Sequence, residues 1–281
     1  MKFAVIGAMN MDVTGWCPNV FRLHDSNPGY VRFTPGGVGR NVAAALAALG
    51  HSVYLIAPIT RDIPGQALAA DCARVGIELS HARYHDGSAP CYMALHTPDG
   101  DMLGAVNDMG ALLSLTPAAI SEELGFINSC EACVCEANLT EEALNYLCKN
   151  VSVPVIADAV SVYKCNRLSK ALWRLDALKP NLAEAKALSQ GSTPEECAQM
   201  LLDAGVKRVV ISLGADGVYA ADKNAGGYIK PTKVFSCSTN GAGDVLAAGI
   251  AVKCAQGEDA LKCAAYGMQL SRQLLEERSK N

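Results

Sequence analysis

Six short apolar runs, separated by helix-like stretches, limit what this 281-residue chain can fold into. They read FAVIGA (3–8), SVYLIAPI (52–59), ACVCEAN (132–138), VPVIADAV (153–160), ALKPN (177–181) and RVVISLG (208–214), and a long helical region closes the chain. Strands covered on both faces are apolar without alternation, and helices between them act as crossovers. The pattern therefore predicts βαβ units around a mostly parallel sheet, an α/β fold. Two helices are easily placed. GRNVAAALAALG runs to Gly50, a helix-stop residue. TPEECAQMLLDAG opens with Thr193 as N-cap, Pro194 at the first helical position and Glu196 at capping-box spacing.

Two segments break this rhythm. Residues 12–35 and 81–108 alternate polar and apolar positions and carry the turn dipeptides Pro28-Gly29 and Asp99-Gly100. They predict short antiparallel strands, a small β lid inserted into a single domain spanning 1–281. Residues 276–281 are charged and are expected to fray.

Half the residues are hydrophobic and 19% are charged, so a sizeable core is expected. A net charge of −4 provides no basic footprint for nucleic acid or an anionic membrane. No apolar run approaches the roughly 18 residues of a membrane span. The start MKFAVIGAMNMDV reads as a first strand rather than a signal peptide. Twelve cysteines in a long chain of this kind point to reduced thiols and a cytoplasmic setting. Most sit in apolar segments, where a thiol acts as a small hydrophobe. Cys130, Cys133 and Cys135 invite a metal reading, but no second ligand pair and no nearby His supports it.

Five motifs could carry chemistry. In TPGGVGRNVAAALAALG, Gly36-Gly37-x-Gly39 resembles a dinucleotide fingerprint, yet Val42 stands where the last glycine should be. Adjacent glycines still let backbone approach a ligand, and Asn41 on the first helical turn offers a donor and an acceptor. A tight turn with a locally packed Asn is the plainer alternative. GAMNMD places Asn10 and Asp12 beyond the first strand's carboxyl end, where ligands bind in open parallel sheets. They suit a diol, or ordinary turns. LKPNLAEA sets Asn181 and Glu184 three apart on one helix face, for metal-bound water near a phosphate or simply as caps. In ISLGADGVYAAD, Ser212, Gly214 and Gly217 form either a phosphate-side loop or a hairpin turn. Finally, Gly241-Ala242-Gly243 precedes a helix of small apolar residues, an anion site made of backbone N–H groups without any lysine. Asp244 beside it is a helix-start acid or a base that takes a proton from an attacking hydroxyl. No G-x-x-x-x-G-K-[ST] occurs, so a P-loop is excluded.

Taken together, GG-x-G-x-N before a helix, N-x-x-E after KPN and a late GAGD resemble the ribokinase-like (PfkB) carbohydrate kinases, in that family's order over nearly the whole chain. The resemblance implies ATP with Mg2+, K+ as a candidate activator, and transfer of the γ-phosphoryl group to a sugar hydroxyl. It implies Asp244 as base and the amides of Gly241, Ala242 and Gly243 as anion hole. Asn10, Asp12, Gly36, Gly37 and Asn41 would grip the sugar. Asn181 and Glu184 would organise metal and phosphate, Glu184 through a metal-bound water, while Ser212, Gly214 and Gly217 line the nucleotide. The wording of NPGYVRFTPGGVGRNVA, GDMLGAVNDM, EANL and VSVYKC tilts the acceptor from ribose toward a C-glycosyl nucleoside phosphorylated on its 5′-hydroxyl. Asn107, Ser161 and Lys164 are the candidates to read a uracil. Exposed lid edges suggest a homodimer. Two departures stand out: Ser238-Thr239-Asn240 where the family commonly writes Asp-Thr-x, and Asp158-Ala159-Val160 where relatives often have Asp-Pro-Val. Asn240 has no assigned role. A kinase for ribose or another nucleoside, or a non-catalytic nucleoside-binding regulator of the same fold, are the alternatives. A degenerate binder would have little reason to keep Asp244, GAGD and N-x-x-E together.

Overall fold

The computed structural model describes residues 1–231 and 241–278. In its first half the chain forms β1 (Lys2–Ile6), β2 (Asn10–Trp16), β3 (Tyr30–Gly36), α1 (Val38–Ala48), β4 (Ser52–Ile56), β5 (Pro58–Ile59) and α2 (Ile63–Arg74). There follow β6 (Ile77–Glu78), β7 (Arg83–Tyr84), β8 (Cys91–His96), β9 (Met102–Asp108), α3 (Pro117–Ile127) and β10 (Ala132–Glu136). The second half contains α4 (Glu141–Asn150), β11 (Val155–Asp158), β12 (Ala177–Lys179), α5 (Leu182–Ser189), α6 (Pro194–Asp203) and β13 (Arg208–Ser212). It ends with β14 (Val218–Asp222), β15 (Gly226–Ile229), α7 (Ala242–Ala255) and α8 (Ala260–Arg278).

Nine strands make the main sheet, in the order β15-β14-β13-β12-β11-β10-β1-β4-β6. From β13 to β6 every pairing is parallel, and β14 and β15 add an antiparallel edge. Both faces are covered, which is why the strands read as unbroken apolar runs. Along β1, Ala4 and Ile6 enter one core with Leu144, Leu147 and Leu201, whereas Phe3 and Val5 enter the other with Leu46, Ala247 and Ile250. Helices α3 to α6 cover the first face; α1, α2, α7 and α8 cover the second. This is an α/β fold built on a mostly parallel sheet. Cys133 and Cys135 are fully buried in the first core beside Cys148. Among the described residues no group of three or more His, Cys, Asp or Glu could hold a metal ion, and none of the helices is long and apolar enough to cross a membrane.

The segments expected to break the rhythm form a separate four-stranded sheet, β3-β2-β8-β9. It differs from the expectation in three ways. It is mixed, because β2 pairs with β8 in parallel while β2–β3 and β8–β9 are antiparallel. The chain between β2 and β8 passes through α1 and α2, and such a crossover returns it in the same direction. The first strand starts at Asn10 rather than 12. Residues 83–84 pair with 58–59 in a small parallel bridge of their own. Pairing register sorts the side chains of this sheet. Asp12 pairs with Thr34 and Tyr92, and Tyr92 pairs with Asn107, so these four share a polar face. Val13, Phe33, Met93 and Val106 share the opposite, apolar face.

Helix ends also refine the reading. Thr193 Oγ1 accepts from the Glu196 N–H at 3.2 Å, but the Glu196 carboxylate accepts from Ser192 N–H, one residue before the cap. The fully reciprocal capping box is instead Asn181–Glu184. At the carboxyl end, α8 continues through Arg278, past the point where fraying was expected. Behind the GAGD segment, α7 crosses α8 at two glycines. A Cβ on Gly249 would stand 2.5 Å from Gly267 Cα, and one on Gly267 would stand 2.7 Å from the Leu246 carbonyl.

Candidate active site

Three neighbouring parallel strands each end in a charged residue: β10 in Glu136, β11 in Asp158 and β12 in Lys179. All three are buried, which an ionisable group tolerates only when paired or hydrogen-bonded. Lys179 Nζ donates to Asp158 Oδ2 at 2.9 Å. Burial pulls the Lys179 ammonium down, but Asp158, Glu184 and Asp244 together more than reverse this and hold it raised. Glu136 accepts from the Ala8 N–H at 2.7 Å and from the Asn138 backbone at 2.8 Å, and its carboxyl is pushed up to about 7 by burial.

The starts of α1 and α7 face these strand ends. Gly37 caps α1 at φ 98°, a left-handed conformation suited to glycine, and a Cβ there would run into the Ala8 carbonyl. Gly241 caps α7 at φ 76°, and among the described residues no side chain caps that helix. Asp244 sits in the first turn of α7, half-buried. Burial raises its carboxyl to about 6; the Asp158 charge adds to the rise, while the Asn41 hydrogen bond and Lys179 oppose it. Asn41 Nδ2 donates to Asp244 Oδ2 at 2.9 Å, joining the two helix starts. Lys179 Nζ lies 3.2 Å from where a Gly243 Cβ would stand, so a lysine adds its charge to the N–H groups expected there.

The other predicted residues fall in three places. Asn10 is buried and donates to Asp12 Oδ1 at 2.7 Å; both belong to β2 rather than to a turn, and Gly36 is tucked against the Asp12 carboxylate. The Asp12 carboxyl is raised by burial, with the Asn10 bond opposing. Asn107 lies on the same face of the small sheet, exposed, with Tyr92 between it and Asp12. Lys164 Nζ donates to Asn138 Oδ1, which ties it to Glu136 through the Asn138 amide; burial lowers its ammonium. Ser161 lies just after Val160, a β-branched residue held at φ 66° beside Asp158.

The residues expected to line a nucleotide fall in two places. Asn181 and Ser212 line a cavity of about 560 Å³ together with Leu182, Pro194, Leu213 and Tyr228. Gly214 and Gly217 do not line it; they shape the turn between β13 and β14, the hairpin alternative. Glu184 is buried, and both its carboxylate oxygens accept from Asn181 at 2.7 Å, so it first serves the helix start. Its carboxyl is raised by burial. Ser238, Thr239 and Asn240 lie outside the described residues. Sequence reasoning missed Glu136, Lys179 and Arg40. A charged residue closing the apolar run ACVCE was the available signal for Glu136; that Lys179 is buried follows only from the strand order.

The family model described as "pfkB family carbohydrate kinase" matches residues 1–281. The pseudouridine kinase of Escherichia coli (strain K12) is 35% identical over 255 residues, covering 88% of this chain and 82% of that protein. A carbohydrate kinase from Agrobacterium tumefaciens superimposes with a TM-score of 0.85 at 28% identity, over 96% of this chain and 89% of that one. Arabidopsis thaliana ribokinase complexed with ribose and ATP shares the fold, with a TM-score of 0.85 at 21% identity over 98% and 92% of the two chains. The chain belongs to the pfkB family of carbohydrate kinases.

Proposed function

We propose that this sugar or nucleoside kinase transfers the γ-phosphoryl group of ATP to the 5′-hydroxyl of pseudouridine, yielding pseudouridine 5′-phosphate and ADP. The observation that carries a phosphoryl-transfer site is Asp244, a half-buried carboxylate raised to about 6 in the first turn of α7, beside Lys179 and Asn41. The choice of acceptor rests on the 35% identity to the E. coli pseudouridine kinase. The residues fit a nucleotide: an apolar shelf of Leu182, Pro194 and Leu213 suits a flat base, and the helix start of α7, without a side-chain cap among the described residues, suits terminal phosphates. ATP with Mg2+ supplies the phosphoryl group and the divalent charge that shields it.

In this reading Asp244 takes the proton from the 5′-hydroxyl, and the N–H groups of Gly241, Ala242 and Gly243 hold the charge on the moving group. Asn10, Asp12 and Asn41 hold the ribose, with Gly36 and Gly37 letting backbone come close, and Asn41 also orients the Asp244 carboxylate. Asn107 and Lys164 read the uracil. Asn181 and Ser212 border the nucleotide, Gly214 and Gly217 set the turn beside it, and Glu184 would hold the metal through water, the metal's charge offsetting that of the phosphates. Lys179 adds positive charge behind Gly243. The small sheet serves as a lid that keeps water from the transferring group. A reducing cytoplasm suits the chain's buried free thiols. A homodimer would cover the apolar face of the small sheet.

A panel of pseudouridine, uridine, ribose, adenosine and fructose phosphates, read by ADP release with Mg2+, tests the acceptor. Pseudouridine should show the highest kcat/KM; a preference for ribose or adenosine would reassign it, and no turnover on any would favour a non-catalytic binder. Asp244→Asn should lose at least about 10²-fold in turnover. Chelating Mg2+ should abolish turnover, and replacing K+ with a bulky organic cation reads any monovalent-ion requirement.

A further inference from the structure

The Asn41 side-chain amide is held at both ends. Its Nδ2 donates to Asp244, and its Oδ1 accepts from an Arg40 guanidinium N–H at 3.0 Å. Arg40 is ion-paired with Asp71 of α2, which also takes Arg74, and both Arg40 and Asp71 are largely enclosed, at 13% and 12% side-chain exposure. The Arg40 backbone N–H is fixed to the Ala8 carbonyl at 2.9 Å. Among the described residues Arg40 Nε is buried without a hydrogen-bond partner. Such a group carries a desolvation cost that an arginine serving only as a surface tether would avoid by turning outward.

We infer that Arg40 is a positioning residue that dictates which end of the Asn41 amide meets Asp244. The oxygen and NH2 ends of an amide have nearly the same shape, so partners decide the orientation. A guanidinium can only donate, so the amide oxygen turns toward Arg40 and the NH2 toward Asp244. That donation favours the ionised carboxylate, the form able to accept a proton. Without Arg40 the amide can rotate and present its oxygen to Asp244, which then must be protonated to make the bond, and a protonated carboxyl is no base. Among the described residues, three neighbours face Asp244: Asn41 from α1, Asp158 from β11 and Lys179 from β12. From α8, Ser271 Oγ donates to the Ala242 carbonyl one turn-step away. Asp158 and Lys179 are paired to each other, so Asn41 is the adjustable contact.

The inference rests on Asp244 acting as base, and the experiment separates the two. Arg40→Met keeps the length and removes the donors; Arg40→Lys restores a donor-only group; Asp71→Asn loosens Arg40 without touching it. Arg40→Met should lower kcat about tenfold or more, the scale of one lost charge-assisted hydrogen bond, with KM for ATP unchanged. The acidic limb of its kcat–pH profile should move up by about one unit, Arg40→Lys should recover most of the loss, and Asp71→Asn should show a smaller shift of the same sign. In an Asn41→Ala background, Arg40→Met should add nothing. Wild-type kcat and an unmoved acidic limb in Arg40→Met, or additive losses in the double variant, would overturn it. An inactive wild type would instead sink the kinase reading. The orientation is then read directly from the Asn41 side-chain NH2 resonances, which should follow the Asp244 titration in the wild type and cease to do so in Arg40→Met.

Discussion

At Asp244 the group that equips the chain for chemistry also weakens the fold. Its carboxyl rises from 3.8 to about 6 on folding. Between those values the folded chain holds a proton that the unfolded chain releases, so the contribution to stability is full below about 4 and is lost as pH rises through about 6. Above that, an ionised carboxylate is held where water is scarce. Asp244→Asn should therefore raise stability at pH 8 by on the order of 1–2 kcal/mol and change it little at pH 4. Thermal unfolding at the two pH values checks this; the same shift at both would mean the carboxylate is not strained by burial. Turnover should rise through about pH 6 as Asp244 ionises and then level. At this scale the sequence was legible where glycine or a helix start frames a residue, as with Asp244, Asn41 and the Asn181–Glu184 pair. Lys179 was not legible, because a lysine in LKPN looks like any solvated helix-start residue. Only the sheet order makes β12 central and its last side chain buried. Arg40 was missed for a related reason: its partner Asp71 is 31 residues away on another helix.

The crossing of α7 and α8 decides how tightly the site is backed. With 2.5 Å between a Gly249 Cβ and Gly267 Cα, even one methyl group forces the helices apart. Gly249→Ala should cost about 1–3 kcal/mol, as overpacking does. Gly125, in α3, faces open space, and Gly125→Ala should add roughly 0.5–1 kcal/mol through helix propensity. Urea unfolding of both variants measures the contrast, and equal signs would mean that helix propensity rather than the crossing governs. Small residues in GAGDVLAAGIAV were readable as tight packing, although not the partner they pack against. Elements themselves were readable too, since continuous apolar runs and Gly-terminated helices carry their own periodicity. What escaped was pairing: alternation in residues 12–35 and 81–108 marks strands, but it says nothing about which neighbour each strand meets or in which direction.

For the molecule as a whole, the carboxyl ends of the parallel strands and the starts of two helices converge on one edge of the main sheet, and the small sheet rises from it. The outer face of that small sheet leaves Val31 and Val106 about two-thirds exposed, with Phe33 and Met93 beside them. Apolar area of this kind is rarely left to water. If the proposed homodimer forms through this face, Phe33→Asp with Val106→Asp should convert it to a monomer in sedimentation velocity; a wild type that is monomeric at micromolar concentration would remove the dimer from the picture. The fold class was legible because a parallel sheet writes itself into composition. The mixed strand order of the small sheet was not, because it depends on crossovers rather than on any residue.

The position of β1 has a further effect. It lies inside the main sheet, paired on one side with β4 and on the other with β10. During synthesis its fully apolar Phe3–Ile6 stretch can find β4 early, yet its second edge waits for residues 132–136. At about 5–20 residues per second that wait lasts several seconds. For that time the nascent chain carries a naked, sticky border at its amino end, so the chain's dependence on chaperones should be greatest before its midpoint leaves the ribosome.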